Sequence, residues 1–227
     1  MNNVLVIAAH PDDELLGEGG TIRNLSDKGI VCRAVILGEG ITSRGAKREE
    51  TDSSELEKLK NDARAAAEKV GYASIDFCDL PDNRFDSIDL LDIIKKVSHY
   101  VNLYNPDTIL THHHGDLNID HRRTCEAVLT ACRPVADNRV KRIYAFETPS
   151  STEWNYIYSE PFIPNVYFDV SDTIEAKIEG MACYSSESAE YPHPRSAEAL
   201  RSLASYRGSN VGYDKAEAFM LLREIFD

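Results

Sequence analysis

The stretch Val4-Leu5-Val6-Ile7-Ala8-Ala9-His10-Pro11-Asp12-Asp13-Glu14 decides the fold class. Its first six residues are apolar at consecutive positions, which is how a strand reads when helices cover both of its faces. Polar residues begin where that strand must end. In open parallel sheets ligands bind beyond the carboxyl ends of the strands, where loops rather than core packing choose the residue types. His10 and Asp13, three residues apart, converge if the chain turns into a helix there. One imidazole and one carboxylate make a zinc-compatible pair, and Asp12 between them can address the same water. The plainer reading of Asp12, Asp13 and Glu14 is acidic charge set against the dipole of a helix's first turn.

Working outward, strands are expected again at residues 32–37, 75–78, 107–111 and 142–146. Helix-period segments lie between them: 15–28, 53–70 ending at Gly71, a run through Leu90, Ile93, Ile94, Val97, Val101 and Tyr104 behind a Ser87 cap, and 120–132 halted by Pro134. Residues 38–52 lack apolar periodicity and read as a long loop. The alternation predicts an α/β fold, Rossmann-like, with a mostly parallel β-sheet flanked by helices. After Pro149 the character changes. Trp154, Tyr156, Tyr158, Phe162, Tyr167 and Phe168 lie among prolines, and helices are expected near 173–184, 197–207 and 215–225. With no internal repeat or linker, 1–227 reads as one domain, an α/β core over 1–146 and an elaborated C-terminal third over 147–227.

Charge narrows the function classes. The 227 residues hold 25 Lys and Arg against 38 Asp and Glu, a formal net charge of −13. That balance disfavours nucleic acid as a partner, because sequence-independent binding needs a basic footprint. No apolar run approaches the ~20 residues that span a bilayer, and no basic-then-apolar leader opens the chain, so no membrane insertion and a cytoplasmic location are expected. Cys32, Cys78, Cys125, Cys132 and Cys183 are scattered, without a C-x-x-C pair, and read as reduced thiols.

A second polar cluster, His112-His113-His114-Gly115-Asp116-Leu117-Asn118-Ile119-Asp120-His121, follows the fourth strand directly. If the first and fourth strands are central neighbours, a histidine from this cluster completes a three-ligand site with one position left for water. Asp120 is placed either to cap the following helix or to hold an imidazole from behind.

With Leu16-Gly17 and Gly19-Gly20-Thr21 added, the segment 9–14 resembles the opening motif of the PIG-L/LmbE-like zinc-dependent N-deacetylases, and Asp120-His121 resembles the end of their second motif. The resemblance runs over residues 4–145 and extends into Phe146-Glu147, Pro149 to Trp154, Tyr191 to Ser196 and Ala216 to Phe219. It implies His10, Asp13 and His121 as metal ligands, Asp12 as general base, and Zn2+ as cofactor, with Fe2+ and Mn2+ as alternatives. The implied reaction removes an N-acetyl group from an amino sugar or sugar conjugate such as a nucleotide-linked one. Where the family often carries a further histidine, this chain has Asn118. A histidine assisting the intermediate or the leaving amine must then come from elsewhere, with His193 the first candidate and His113 the second.

Ser43, Arg44, Asn83, Arg84, Asn118 and Arg195 are the candidate substrate contacts, with Arg122 beside His121 a further cation and Trp154 a face for a sugar ring. The small-molecule sugar is the expected partner, and a homo-oligomer is left open. Two other readings compete: a metal-dependent phosphoesterase, for which the carboxylates are few, and a non-catalytic sugar- or nucleotide-binding α/β domain, which lacks G-x-G-x-x-G at its first turn.

Overall fold

The computed structural model describes residues 1–43, 48, 52–135, 139–156 and 160–226. Its centre is β1 (Asn3–Ala8), hydrogen-bonded in parallel to β2 (Val31–Gly38) on one side and β4 (Thr108–His112) on the other. β3 (Ser74–Leu80) and β5 (Arg142–Phe146) extend the parallel sheet outward. Side chains alternate along β1 as strand geometry requires. Val4, Val6 and Ala8 pack with α2 (Gly19–Asp27), α3 (Ser53–Val70) and α6 (Ile174–Cys183), whereas Leu5 and Ile7 pack with α4 (Leu90–Tyr104) and α5 (Ile119–Ala131). The uninterrupted apolar run thus has the two-sided burial it predicts.

With β6 (Val166–Asp169) and β7 (Ala216–Glu224) included, strand order is β3-β2-β1-β4-β5-β7-β6. The chain winds from β1 toward β3, then returns to β4 on the other side, so the winding reverses between β1 and β4. Such a switch point opens a crevice at the strands' carboxyl ends. His10 and the 112–121 cluster both leave the sheet there.

Local signals explain most boundaries. Asp52 caps α3 by accepting from the Ser54 amide at 2.8 Å, and Gly71 closes it at φ 85°. Ahead of α4 the cap is Asp89, not Ser87: Asp89 accepts from Leu91 N, while Ser87 ends a short 3-10 turn. The helix expected over 15–28 is two, α1 (Asp13–Leu16) and α2, because the chain breaks at Gly17, where a Cβ would run into the Phe146 ring.

The largest departure lies at the C-terminus. Residues expected as a helix over 215–225 form β7 (Ala216–Glu224), antiparallel to β5, and β6 (Val166–Asp169) pairs antiparallel on its outer side. Ala, Glu and Leu favour helix, but propensity is a weak preference that an open strand edge overrides. Strand geometry also places Glu217 where its carboxylate accepts the Gly20 and Thr21 amides of α2 at 3.1 and 2.6 Å and pairs with Lys177 at 2.7 Å. α7 (Ala197–Ser209) forms as expected. Among the described residues no helix is long and apolar enough to cross a membrane.

Beside this ion pair sits Glu18, fully buried, with neither carboxylate oxygen hydrogen-bonded among the described residues. Burial first, then the Glu217 charge, raise its pKa well above the ordinary carboxyl value, against the pull of Lys177. A carboxyl raised in the folded state costs stability as pH climbs above its unfolded value near ~4.3, by at most about 1.4 kcal/mol per pH unit until the folded value is reached. Glu18→Gln removes that proton equilibrium. Urea unfolding should show the variant gaining on the parent between pH 5 and pH 8; parallel slopes would contradict the buried-acid assignment.

Candidate metal centre and active site

The loop after β1 and the start of α5 bring three ligand atoms together. His10 Nδ1 lies 3.3 Å from Asp13 Oδ2 and 3.3 Å from His121 Nε2, and His121 Nε2 lies 3.2 Å from Asp13 Oδ2. A tetrahedron with such edges has its centre about 2.0 Å from each corner, the bond length from a zinc-type ion to nitrogen or oxygen. All three residues are buried. Each is aimed from behind. Asp13 Oδ2 accepts the His10 amide at 2.8 Å, His10 Nε2 meets Asp120 Oδ2 at 2.9 Å, and His121 Nδ1 lies 3.1 Å from Asp116 Oδ1. A carboxylate on one ring nitrogen holds the proton there and turns the other nitrogen's lone pair to the common point.

The charge balance also asks for a cation. Burial lowers the affinity of both imidazoles for a proton, yet the surrounding carboxylates outweigh it. Asp120, Asp13 and Asp82 raise His10 well above its ordinary value, and Asp13 with Asp116 pushes His121 up to about 9. For Asp13 burial works upward, but His121, His112 and His10 hold its carboxyl well below the usual range. A site that draws protons onto two imidazoles carries surplus negative charge, which a divalent ion neutralises.

Asp120 does not cap α5. Asn118 does, accepting from Asp120 N at 2.8 Å, and this frees the Asp120 carboxylate. It takes the amides of Asn83 at 2.7 Å and Phe85 at 2.9 Å as well as the His10 ring. Asp82, 3.3 Å from His10 Nε2, is held by Ser43 N at 3.1 Å and Ser43 Oγ at 2.5 Å. His10, Asp82 and Asp120 form a second acid-rich group, but its carboxylates are already committed to these donors and it shares His10. A two-metal centre would need free bridging carboxylates.

Asp12 faces the same cleft, which measures about 190 Å³ and is lined by His10, Asp12, Ser43, Asp82, Asn83, Asn118, His121, Ser150, Ser151, Glu187 and Arg195, with Pro11 and Gly40. Arg195 Nη1 donates to Asp12 Oδ2 at 2.5 Å and to Glu187 Oε2 at 3.2 Å. Burial pushes the Asp12 carboxyl up to about 7, with Asp13 and Glu187 adding to it and Arg195 and His10 opposing.

The expected substrate contacts divide. Ser43, Asn83, Asn118 and Arg195 line the cleft, Arg84 is exposed and does not, and Arg44 lies outside the described residues. Arg122 ties the cluster together by donating to the Asp116 and Leu117 carbonyls, each at 2.7 Å. Neither histidine proposed to replace the one missing at Asn118 reaches the cleft lining. His193 Nδ1 accepts the Arg195 amide at 3.2 Å and its ring stands edge-on to Trp154, while His113 Nε2 lies 3.0 Å from the Glu160 carbonyl. His112 is committed too, because its Nε2 accepts the Ala9 amide at 2.9 Å. Burial first, then the His121 charge, lower it to about 3, so it stays neutral. Asp82, Asp116, Ser150, Ser151 and Glu187 were not singled out from the sequence as site residues. Asp116 had a signal in its place two residues before the helix cap in the second cluster, and Ser150 and Ser151 lie in the Pro149 to Trp154 stretch that shares the resemblance.

A doubly wound sheet with three candidate cation ligands converging at its switch point, beside the Arg195-paired carboxylate of Asp12, has the arrangement of an enzyme that works with a metal ion. Comparison with known proteins narrows the class. Residues 5–132 match the PIG-L family, described as GlcNAc-PI de-N-acetylase, and the chain belongs to that family. It is similar to diacetylchitobiose deacetylase from Thermococcus kodakarensis, 31% identical over 100% of this chain and 85% of the relative. It is 26% identical to the probable N-acetyl-alpha-D-glucosaminyl L-malate deacetylase 2 of Bacillus cereus, over 82% of this chain and 83% of that one. In fold it is also similar to the 4-carboxy-2-hydroxymuconate hydratase of Pseudomonas putida KT2440, with TM-score 0.79 at 21% identity over 100% of this chain and 98% of that one. That likeness shows the fold alone.

Proposed function

We propose that the protein is a zinc-dependent N-deacetylase that hydrolyses the N-acetyl group of an amino sugar or sugar conjugate to acetate and a free amine. The observation that carries this reading is the near-equal 3.2–3.3 Å spacing of His10 Nδ1, Asp13 Oδ2 and His121 Nε2 in the cleft that Asp12 also lines. When bound, the ion supplies Lewis acidity toward the amide oxygen and lowers the pKa of water.

The chain's own residues do the rest. Asp12 accepts the proton of the attacking water, and its carboxyl then gives a proton to the departing nitrogen. Asp120 keeps the His10 imidazole in the ligating tautomer through its hydrogen bond, and the Asp116 charge 3.1 Å from His121 Nδ1 favours a proton on that nitrogen. Ser43, Asn83 and Asn118 offer hydroxyl and amide groups to sugar hydroxyls. Arg195 holds the Asp12 carboxylate from the side. With His193 and His113 turned elsewhere, Asp12 is the one proton carrier among the described lining residues that this mechanism uses.

The test is acetate release, read by mass spectrometry as replacement of an acetyl group by hydrogen, across free, nucleotide-linked and oligomeric N-acetyl sugars that include diacetylchitobiose. Turnover should vanish with chelator and return with zinc. No release across that panel by metal-loaded protein would falsify the assignment.

A further inference from the structure

Asp12 has a backbone that its own side chain does not explain. It sits at φ 104° and ψ −30°, a left-handed conformation that non-glycine residues adopt rarely. The conformation is what lets His10 and Asp13 close on one point while Asp12, between them, faces the cleft. Something must hold it.

Three contacts do so. The Asp12 carbonyl accepts the Leu15 and Leu16 amides, both at 3.0 Å, which fixes the start of α1. The Asp12 amide donates to Glu14 Oε2 at 2.9 Å. The other Glu14 oxygen, Oε1, accepts the hydroxyl of Tyr184, which follows α6 in the C-terminal third. Glu14 and Tyr184 are both wholly buried, and neither lines the cleft. Glu14 is thus a bridge, one oxygen on the strained peptide and the other pinned from 170 residues away.

We propose that Glu14 and Tyr184 are positioning residues for the reaction: the Tyr184 hydroxyl orients the Glu14 carboxylate, which holds the Asp12 amide and so keeps the Asp12 carboxylate aimed into the cleft. This rests on Asp12 being the base. It gives the C-terminal third a part in the chemistry beyond covering the sheet, since Tyr184 fixes the backbone of Asp12 and Arg195 its side chain.

A neighbouring hydroxyl supplies the control. Tyr72 is also buried and donates at 2.8 Å to Glu14, but to its backbone carbonyl rather than its carboxylate. Tyr184→Phe and Tyr72→Phe each delete one buried hydroxyl bonded to the same residue. Tyr184→Phe should lower kcat at least tenfold with KM within twofold and metal content unchanged. Tyr72→Phe should keep kcat. Glu14→Gln, whose amide can still accept from Asp12 N and meet Tyr184, should lie within a few-fold of the parent, whereas Glu14→Ala should not. Equal kcat in the two Phe variants, with similar losses of thermal stability, makes the contact merely structural and overturns the proposal.

A second readout is independent of turnover. In a crystal structure of Tyr184→Phe, Asp12 should leave its positive φ or show two conformers; an unchanged Asp12 overturns the proposal whatever the activity. An inactive parent protein would refute the deacetylase reading alone and leave this arm of the test standing.

Discussion

Asp12→Asn leaves metal content at the parent level and lowers kcat by about 10²–10⁴-fold, the range that one positioned acid–base group supplies. The substitution is close to isosteric, and asparagine is among the few residues that tolerate positive φ, so the turn at φ 104° survives. Asp12 is not among the three atoms that converge, and the 3.2–3.3 Å triangle of His10, Asp13 and His121 does not involve its side chain. Arg195 loses its shortest partner but keeps Glu187 at 3.2 Å, so its guanidinium is not stranded. What disappears is the group that can hold a proton between two steps. Metal analysis and steady-state kinetics on the same preparation separate the outcomes. Full activity would remove Asp12 from the mechanism, and lost metal would make it a ligand.

That His10, Asp12 and Asp13 gather at one strand end was legible in the sequence because one strand, one turn and one helix start carry them. The same holds for the parallel core: a six-residue apolar run and the capped, periodic helices around it leave few ways to pack. Asp120 was half legible. Its position next to His121 allowed two roles, and the structure chooses the imidazole because Asn118 takes the cap. Asp82, Ser150 and Glu187 come from loops after other elements, and no local spacing announces that they share a cleft. β7 failed differently. Its composition, read alone, favours helix, and only the open edge of β5, a partner more than 70 residues earlier, makes it a strand. His193 and His113 were named because Asn118 stands where the family often carries a histidine. In the structure the His193 ring accepts the Arg195 amide and the His113 ring meets the Glu160 carbonyl, contacts with residues far from Asn118 in sequence.

Removing a ligand has the second large effect, and it separates from the loss of the base by a measurement without substrate. Asp13→Asn and His121→Ala should each cut metal affinity steeply and abolish turnover. Asp13→Asn preserves shape and can still accept the His10 amide, which the parent bonds at 2.8 Å, but it removes the central negative charge between two imidazoles. His121→Ala removes a donor and leaves Asp116 without the ring 3.1 Å from its carboxylate, although Ser151, Thr152 and the Asn118 amide still serve that carboxylate. A ligand that binds only the folded state stabilises it by about 2.7 kcal/mol at a hundredfold excess over its dissociation constant. Thermal unfolding with and without added zinc should therefore show an upward shift in Tm for the parent and for Asp12→Asn, and little or none for Asp13→Asn and His121→Ala. A full shift in either ligand variant would mean that the ion is held elsewhere. The two arms together make a strict requirement, because adjacent carboxylates of the same type, Asp12 and Asp13, must lose different things.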